Sequence, residues 1–427
     1  MQDISKPDKA NSLKHVLFGS LIGTTIEFFD FYIYANAAVL VFPQLFFPGS
    51  DSTISTIESL ATFSIAFFAR PIGSVVFGHY GDKIGRKTTL VVALLTMGIS
   101  TVAIGFLPTY ASIGITAPLL LMLFRFGQGL GLGGEWGGAV LLAIENAPPG
   151  KRAWYGMFPQ LGAPIGLLLS GGTFLLLSDT LTEEQFFDYG WRIPFIASAA
   201  LVVVGFYIRL KITETPSFIA SLETKKQVEI PVMELLKSYK RELVFGTLAA
   251  VTTFVTFYFM TVFSLSWATT DLGYSRRDFL IMQLFSVLFF GISIPVSAFM
   301  ADRFGRRMVL IIISVGIAIF GLFFSSLLGS GNTTLITVFL CLGMTLMGLS
   351  YGPLGTFLSE LFPTEVRYSG ASLTFNFAGI IGAAFAPLIA IWLAKNFGLA
   401  YVGFYLSAAA VLTFISLLMI SKKEHQF

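Results

Sequence analysis

One cysteine, Cys341, and three scattered histidines, His15, His79 and His425, are all that 427 residues offer of the side chains that most often hold transition metals or form disulfides. A single thiol excludes a disulfide framework, and no pair of histidines has metal-ligand spacing. Charge is also scarce. Asp, Glu, Lys and Arg make up 12% of the chain, where a soluble domain carries about 25%. The net charge of +3 gives no reason to expect a nucleic-acid partner. GLGLGG at 129–134 lies in an apolar run with no Lys-Ser/Thr after it, so it is not a phosphate loop. Nucleophile, base and orienting group never occur together, so neither an enzyme nor a cofactor is expected.

What the chain has instead is grease: 55% hydrophobic residues, 45 of them Phe, and a mean hydropathy of +0.79. Apolar runs recur at about 15–40, 56–79, 89–107, 116–143, 154–178, 190–210, 242–268, 277–300, 308–328, 333–358, 368–394 and 400–420, each near the roughly 20 residues that cross a bilayer as a helix. Backbone groups in lipid must be satisfied within the segment, so these runs are helices. The expectation is an all-α integral membrane protein of twelve spans, with both termini on one face. The first run is too long for the apolar core of a cleaved signal and carries two acids.

Most of the 27 Lys and Arg fall on the face that holds the termini. Arg192, Arg276, Arg277 and Lys395 fall on the other, and Arg70 and Arg125 lie inside helices. By the positive-inside rule the termini are expected to be cytoplasmic.

GHYGDKIGRK at 78–87 returns as AFMADRFGRR at 298–307, a shift of 220 residues. Glu145 and Arg152 have an echo in Glu360 and Arg367, again seven positions apart. The chain therefore divides into a six-helix half at 1–210, a cytoplasmic linker at 211–241 and a second half at 242–427. Two parallel repeats with a site where they meet near the midplane is the logic of a rocking transporter.

The repeated loop resembles the signature of the major facilitator superfamily. EFFDF at 27–31, FARPIG at 68–73, RFGQGLGLGGEWGG at 125–138, WRIPF at 191–195 and ELFPTEVRYSG at 360–370 resemble its metabolite:proton symporter family, nearest the shikimate-type branch. The resemblance implies two pseudo-symmetric bundles and alternating access. It also implies a cargo among small carboxylates such as shikimate, 2-oxoglutarate or citrate, or zwitterions such as proline and betaine.

Glu27, Asp30, Arg70, Arg125 and Glu135 all fall at hydrocarbon depth, where each costs about 2.5–3.5 kcal/mol on the insertion scale. They need partners or water. Glu27, Asp30 and Tyr34 share one helix face, as do Arg125 and Gln128. The likeness to proton-coupled sugar porters implies that Asp30 pairs with Arg125 as the proton switch, and that Glu27 and Arg70 form a second pair. A carboxylate held beside Arg keeps its negative charge until the Arg leaves or water is excluded; Glu135 is a relay candidate. Guanidinium grips carboxylate bidentately, so Arg70 is the first choice for the substrate, with Arg125 second. Tyr32, Tyr34, Gln128, Gln160, Tyr258 and Asn376 are candidate cage walls. Asp82, Arg86, Asp302 and Arg306 are candidates for a cytoplasmic latch, and Glu145, Arg152, Glu360 and Arg367 for its second tier.

The expected function is import of a small carboxylate-bearing metabolite with a proton through the inner membrane, by a monomer. Uptake of zwitterionic osmolytes or a carboxylate siderophore, export of amphipathic compounds and a nutrient-receptor role are the alternatives. The short stretch after the last run leaves no room for a heptad coiled coil, which counts against an osmosensor.

Overall fold

The computed structural model describes residues 13–49, 51–84, 86–211, 231–363 and 366–420. Within them the chain forms twelve long helical rods. They are α1 (Leu13–Leu40), α2 (Ser52–Ile84), α3 (Arg86–Gly105), α4 (Thr116–Gly133 and Trp136–Glu145), α5 (Arg152–Thr180) and α6 (Ile193–Lys211). After a break come α7 (Lys240–Thr270), α8 (Arg276–Phe304), α9 (Arg306–Leu322), α10 (Thr333–Glu360), α11 (Arg367–Phe397) and α12 (Leu399–Met419). The expected linker lies mostly outside the described residues; its end forms a short helix, Pro231–Ser238.

Eight of the rods are long and apolar enough to cross a bilayer by length and composition. The other four depart for local reasons. Rod α1 carries Glu27, Asp30 and Asn36. Only Val91–Gly105 of α3 forms an apolar helix among the described residues. Rod α4 is interrupted at Gly134 and Glu135 rather than continuous, and α9 has 17 residues before a short helix, Phe324–Leu328.

The packing repeats with a step of six. In the first half α1 packs on α5, α2 on α4 and α3 on α6; in the second, α7 packs on α11, α8 on α10 and α9 on α12. The halves meet chiefly through α5 against α8 and α10, and through α2 against α11. Glycine permits the closest approaches. A Cβ on Gly133 of α4 would run into the backbone of Arg70, and one on Gly129 into that of Ala66, so α2 and α4 touch backbone to backbone, as small-residue seams in membranes allow.

Two π-helical segments, Phe259–Phe263 in α7 and Ile380–Ala384 in α11, lie in helices that pack on each other. A π turn releases carbonyls from the regular ladder. Gln283 of α8 donates to the carbonyls of Met260 and Thr261 at 3.1 and 3.0 Å. Ser64 of α2 donates to that of Ala384 at 2.5 Å, across the boundary between halves.

Candidate functional site

A small enclosed cavity lies between the halves. Glu27, Phe28 and Tyr32 of α1, Arg70 of α2 and Trp136 of α4 line it from one half; Tyr258 of α7, Tyr351 of α10, and Phe375 and Asn376 of α11 line it from the other. Its free volume is about 40 Å³, room for a few waters at most and too little for a ring-sized metabolite. The wall is aromatic with one cation and one acid. Arg70 is buried, and its guanidinium carbon stands 4.5 Å from the ring centre of Phe31 and 4.7 Å from that of Phe67. Those faces offset part of the desolvation of the charge. Nε of Arg70 and the hydroxyl of Tyr351 are buried with no hydrogen-bond partner among the described residues.

Asp30 and Arg125 lie behind this wall and do not line the cavity. Both are fully buried. Asp30 Oδ1 accepts from Ser198 Oγ of α6 at 2.5 Å, and Thr101 of α3, whose hydroxyl donates to the Met97 carbonyl at 3.0 Å, lies close enough to act on that carboxyl. Arg125 donates to Gln128 Oε1 at 2.8 Å, and Gln128 Nε2 donates to Thr101 Oγ1 at 2.8 Å. The guanidinium is boxed by Tyr34, Phe31 and Phe63, whose ring centres lie 4.0, 4.2 and 4.8 Å away. Asp30 Oδ2 and Arg125 Nη2 have no partner among the described residues.

The structure thus differs from two expected pairings. No direct ion pair joins Asp30 to Arg125; Gln128 and Thr101 stand between them, because Gln128, one turn from Arg125, takes the guanidinium first. Glu27 and Arg70 face the same cavity without a direct ion pair, and Glu27 keeps contacts of its own. Three other expected cage residues are turned to different partners. Tyr34 bonds Thr62 at 2.7 Å beneath the Arg125 box. Gln160 accepts from Trp136 Nε1 at 3.1 Å and donates to the Tyr351 carbonyl at 3.0 Å, which ties α5 to α10. Gln128 belongs to the Asp30 network. Tyr32, Tyr258 and Asn376 do face the cavity. Asn376 reaches Ser74 of α2 at 2.7 Å, and Ser74 donates to the Gly133 carbonyl at 2.5 Å, so α11, α2 and α4 share one chain of bonds. Glu135 is buried at the α4 interruption, with contacts of its own.

On the face where α1 begins and α12 ends the halves are shut. The carboxylate of Asp302, at the end of α8, accepts the backbone N–H groups of Ala153 and Trp154 at the start of α5, each at 2.9 Å. Arg306 bridges Asp302 at 3.3 Å and Glu360 at 3.4 Å; Arg152 and Arg367 also lie within electrostatic reach of Glu360. Thr356 donates to the Arg152 carbonyl at 3.4 Å, and Tyr368 donates to the Gly134 carbonyl. Glu145 has contacts of its own. The side chains of Asp82 and Arg86 lie outside the described residues. Between this seam and the cavity, Trp136 and Phe375 stack with ring centres 3.6 Å apart and planes at 7°.

The opposite face is looser. A vestibule of about 550 Å³ opens between the ends of α1 and α7 and the starts of α2 and α8. A narrow neck walled by Tyr32, Asn36, Tyr258 and Thr261 lies between it and the central cavity. Among the described residues, ion pairing across the halves there rests on Arg277 and Asp179 at 2.8 Å, both more than half exposed.

Sequence reasoning did not single out Tyr351, Phe375, Ser198 or Thr101. A tyrosine or serine in an apolar run carries no signal of which neighbour it meets, whereas a charge there demands one.

The chain matches the family model described as Major Facilitator Superfamily over residues 20–384. It is 59% identical to the inner membrane metabolite transport protein YhjE of Escherichia coli (strain K12), over 97% of this chain and 96% of that one. It is 34% identical to the shikimate transporter of the same organism, over 98% of each. Among solved structures, the partially occluded inward-open form of the E. coli xylose transporter XylE superimposes with a TM-score of 0.76 at 16% identity, over 98% of this chain and all of that one. At that identity the likeness is one of fold.

Proposed function

Because the chain belongs to the major facilitator superfamily, we propose that it carries a small carboxylate-bearing metabolite, together with a proton, into the cell across the inner membrane. The termini and the Asp302 seam face the cytoplasm in this reading, and the vestibule faces outward. One observation supports it above the rest: Arg70 stands in the wall between the halves with its Nε unspent and no direct ion pair among the described residues, Glu27 acting on it electrostatically across the cavity. Buried charge is costly, and with Glu27 acting only across the cavity the open Nε leaves Arg70 able to gain from a second, direct anionic partner. Tyr32, Tyr258 and Tyr351 place hydroxyls around the same space.

In the proposed cycle the outward-facing protein takes up a proton on Asp30 and a carboxylate on Arg70. The halves then close over the cargo and the cytoplasmic seam parts. Asp30 releases its proton inward. The Thr101–Gln128 bridge lets Arg125 sense that change without touching the carboxylate, and loss of the proton restores a state that no longer favours the anion.

The test is uptake by proteoliposomes under an imposed proton gradient, with a panel headed by shikimate and including other carboxylates, amino acids and betaines. Accumulation of a carboxylate that collapses with a protonophore, and that Arg70→Ala abolishes in a folded protein, is the expected result. Accumulation insensitive to the gradient, or untouched in Arg70→Ala, overturns the reading.

A zwitterionic cargo is the second reading. Glu27 and the rings of Tyr32, Trp136 and Tyr258 on the same wall would suit an ammonium group while Arg70 held the carboxylate. The betaines and amino acids of the panel separate the two.

A further inference from the structure

We propose that the vestibule on the face opposite the Asp302 seam is itself a binding site, a first station for an organic carboxylate before it reaches the central cavity. The inference rests on the reading of the cargo as a carboxylate. The vestibule holds about 550 Å³ against about 40 Å³ at the centre, so it is the space between the halves that a ring-sized anion can occupy in this conformation.

Its wall is built for an anion. Gln44, Ser52, Ser55, Thr56, Tyr274 and Arg276 supply side-chain donors, and no carboxylate lines it among the described residues. Several of those donors are unspent. Thr56 turns back to the Ser52 carbonyl and Tyr274 meets Thr333, but the side chains of Gln44, Ser52, Ser55 and Arg276 make no hydrogen bond among the described residues. Ser55 is nonetheless buried.

Arg276 is the anchor. Its guanidinium carbon lies 4.2 Å from the ring centre of Phe186 and 5.3 Å from that of Phe187, on the short helix Glu183–Asp188. Stacking of that kind fixes the plane of the group while leaving its edge N–H donors open, the geometry a carboxylate needs for two parallel hydrogen bonds. Glu183 lies near enough to act on Arg276 electrostatically, yet no ion pair joins them among the described residues. The adjacent Arg277, by contrast, is engaged with Asp179. Both arginines reach across to the first half, but Arg277 spends its N–H groups on Asp179, while Arg276 offers only its face to Phe186 and lines the vestibule.

The neck below is lined by Tyr32 and Tyr258, which also line the central cavity. The neck holds only about 10 Å³ here, so an anion released from Arg276 reaches the tyrosine hydroxyls near Arg70 only after the helices around the neck move apart.

Trifluoroacetate is the probe, followed by 19F line broadening on the full-length protein in nanodiscs. Arg276→Gln is expected to weaken trifluoroacetate binding about tenfold or more, since a charge-assisted bidentate contact is lost, while Arg70→Ala leaves the vestibule component in place. Arg276→Lys, which keeps the charge and the fold but not the planar fork, is expected to fall between. Binding unchanged in both Arg276 variants overturns the site. Binding lost in Arg70→Ala alone also overturns it and leaves the central reading standing; binding lost only in the Arg276 variants supports the vestibule and leaves the role of Arg70 to the uptake test, since the central cavity of about 40 Å³ is closed to the probe in this conformation.

Discussion

At the scale of the residue, the weight falls on one buried carboxylate. Asp30 is fully buried, bonded to Ser198 and close to Thr101, and separated from Arg125 by Gln128, which bonds both Arg125 and Thr101. A static ion pair fixing helix register would bring the two charges together, since a low-dielectric interior strengthens direct contact. The bridge of neutral groups suits a carboxylate that changes charge, because neutral partners can reorient where a guanidinium cannot. Asp30→Asn is therefore expected to abolish gradient-driven accumulation while leaving exchange of labelled for unlabelled cargo near the wild-type rate. Counterflow measured beside net uptake checks this; loss of both activities in a folded protein would make Asp30 a structural residue.

Asp30, Glu27, Arg70 and Arg125 were legible in the sequence because each is a charge where charge is costly. Their partners were not legible. Whether Arg125 meets Asp30 or Gln128 is decided by a few ångströms of helix rotation, and spacing along one chain does not contain that information. Tyr34 shows the same limit: it shares a face with Asp30 by periodicity, yet the structure turns it to Thr62 and the Arg125 box.

At the scale of the element, α2 and α4 carry the argument. Arg70 reaches the cavity from a stretch of α2 whose backbone lies against Gly133, and Ser74 bonds the Gly133 carbonyl one turn later. Gly133→Ala places a methyl group into the Arg70 backbone. Overpacking of this kind costs about 1–3 kcal/mol, and here it also displaces Arg70, a cation in the cavity wall. The expected outcome is a lower unfolding temperature with loss of uptake. Gly172→Ala on α5, where a Cβ meets nothing within 4 Å, should leave both unchanged. Thermal unfolding followed by tryptophan fluorescence, beside uptake, checks the pair. The glycine run at 129–134 marked close packing from sequence, but not the interruption of α4 at Gly134 and Glu135. The π segments of α7 and α11 were equally hidden, since they depend on donors such as Gln283 and Ser64 from other helices.

At the scale of the molecule, the two faces differ in how firmly they are shut. Asp302 binds two backbone N–H groups at the start of α5 and is bridged by Arg306 to Glu360, with Asp302, Glu360 and Arg306 side chains 11%, 21% and 23% exposed. Hydrogen bonds to a charged group contribute about 1.5–3 kcal/mol each, and the helix N-terminus adds to the attraction. The Arg277–Asp179 pair opposite is more than half exposed, a setting worth about 0–1 kcal/mol. The conformation seen, with a vestibule on one face and a sealed seam on the other, follows from that difference. Asp302→Ala removes both backbone contacts and the Arg306 bridge together. Because each 1.4 kcal/mol is tenfold in an equilibrium, it should shift the population by about tenfold or more toward a form open at the seam. Spin labels at Lys151 and Arg303, in a Cys341→Ser background, report the distance across the seam by double electron–electron resonance. Asp302→Ala should populate a longer distance that wild type barely shows, and Asp179→Ala should not. An unchanged distribution in Asp302→Ala would mean that the stacked Trp136 and Phe375, rather than the charged latch, hold that face closed.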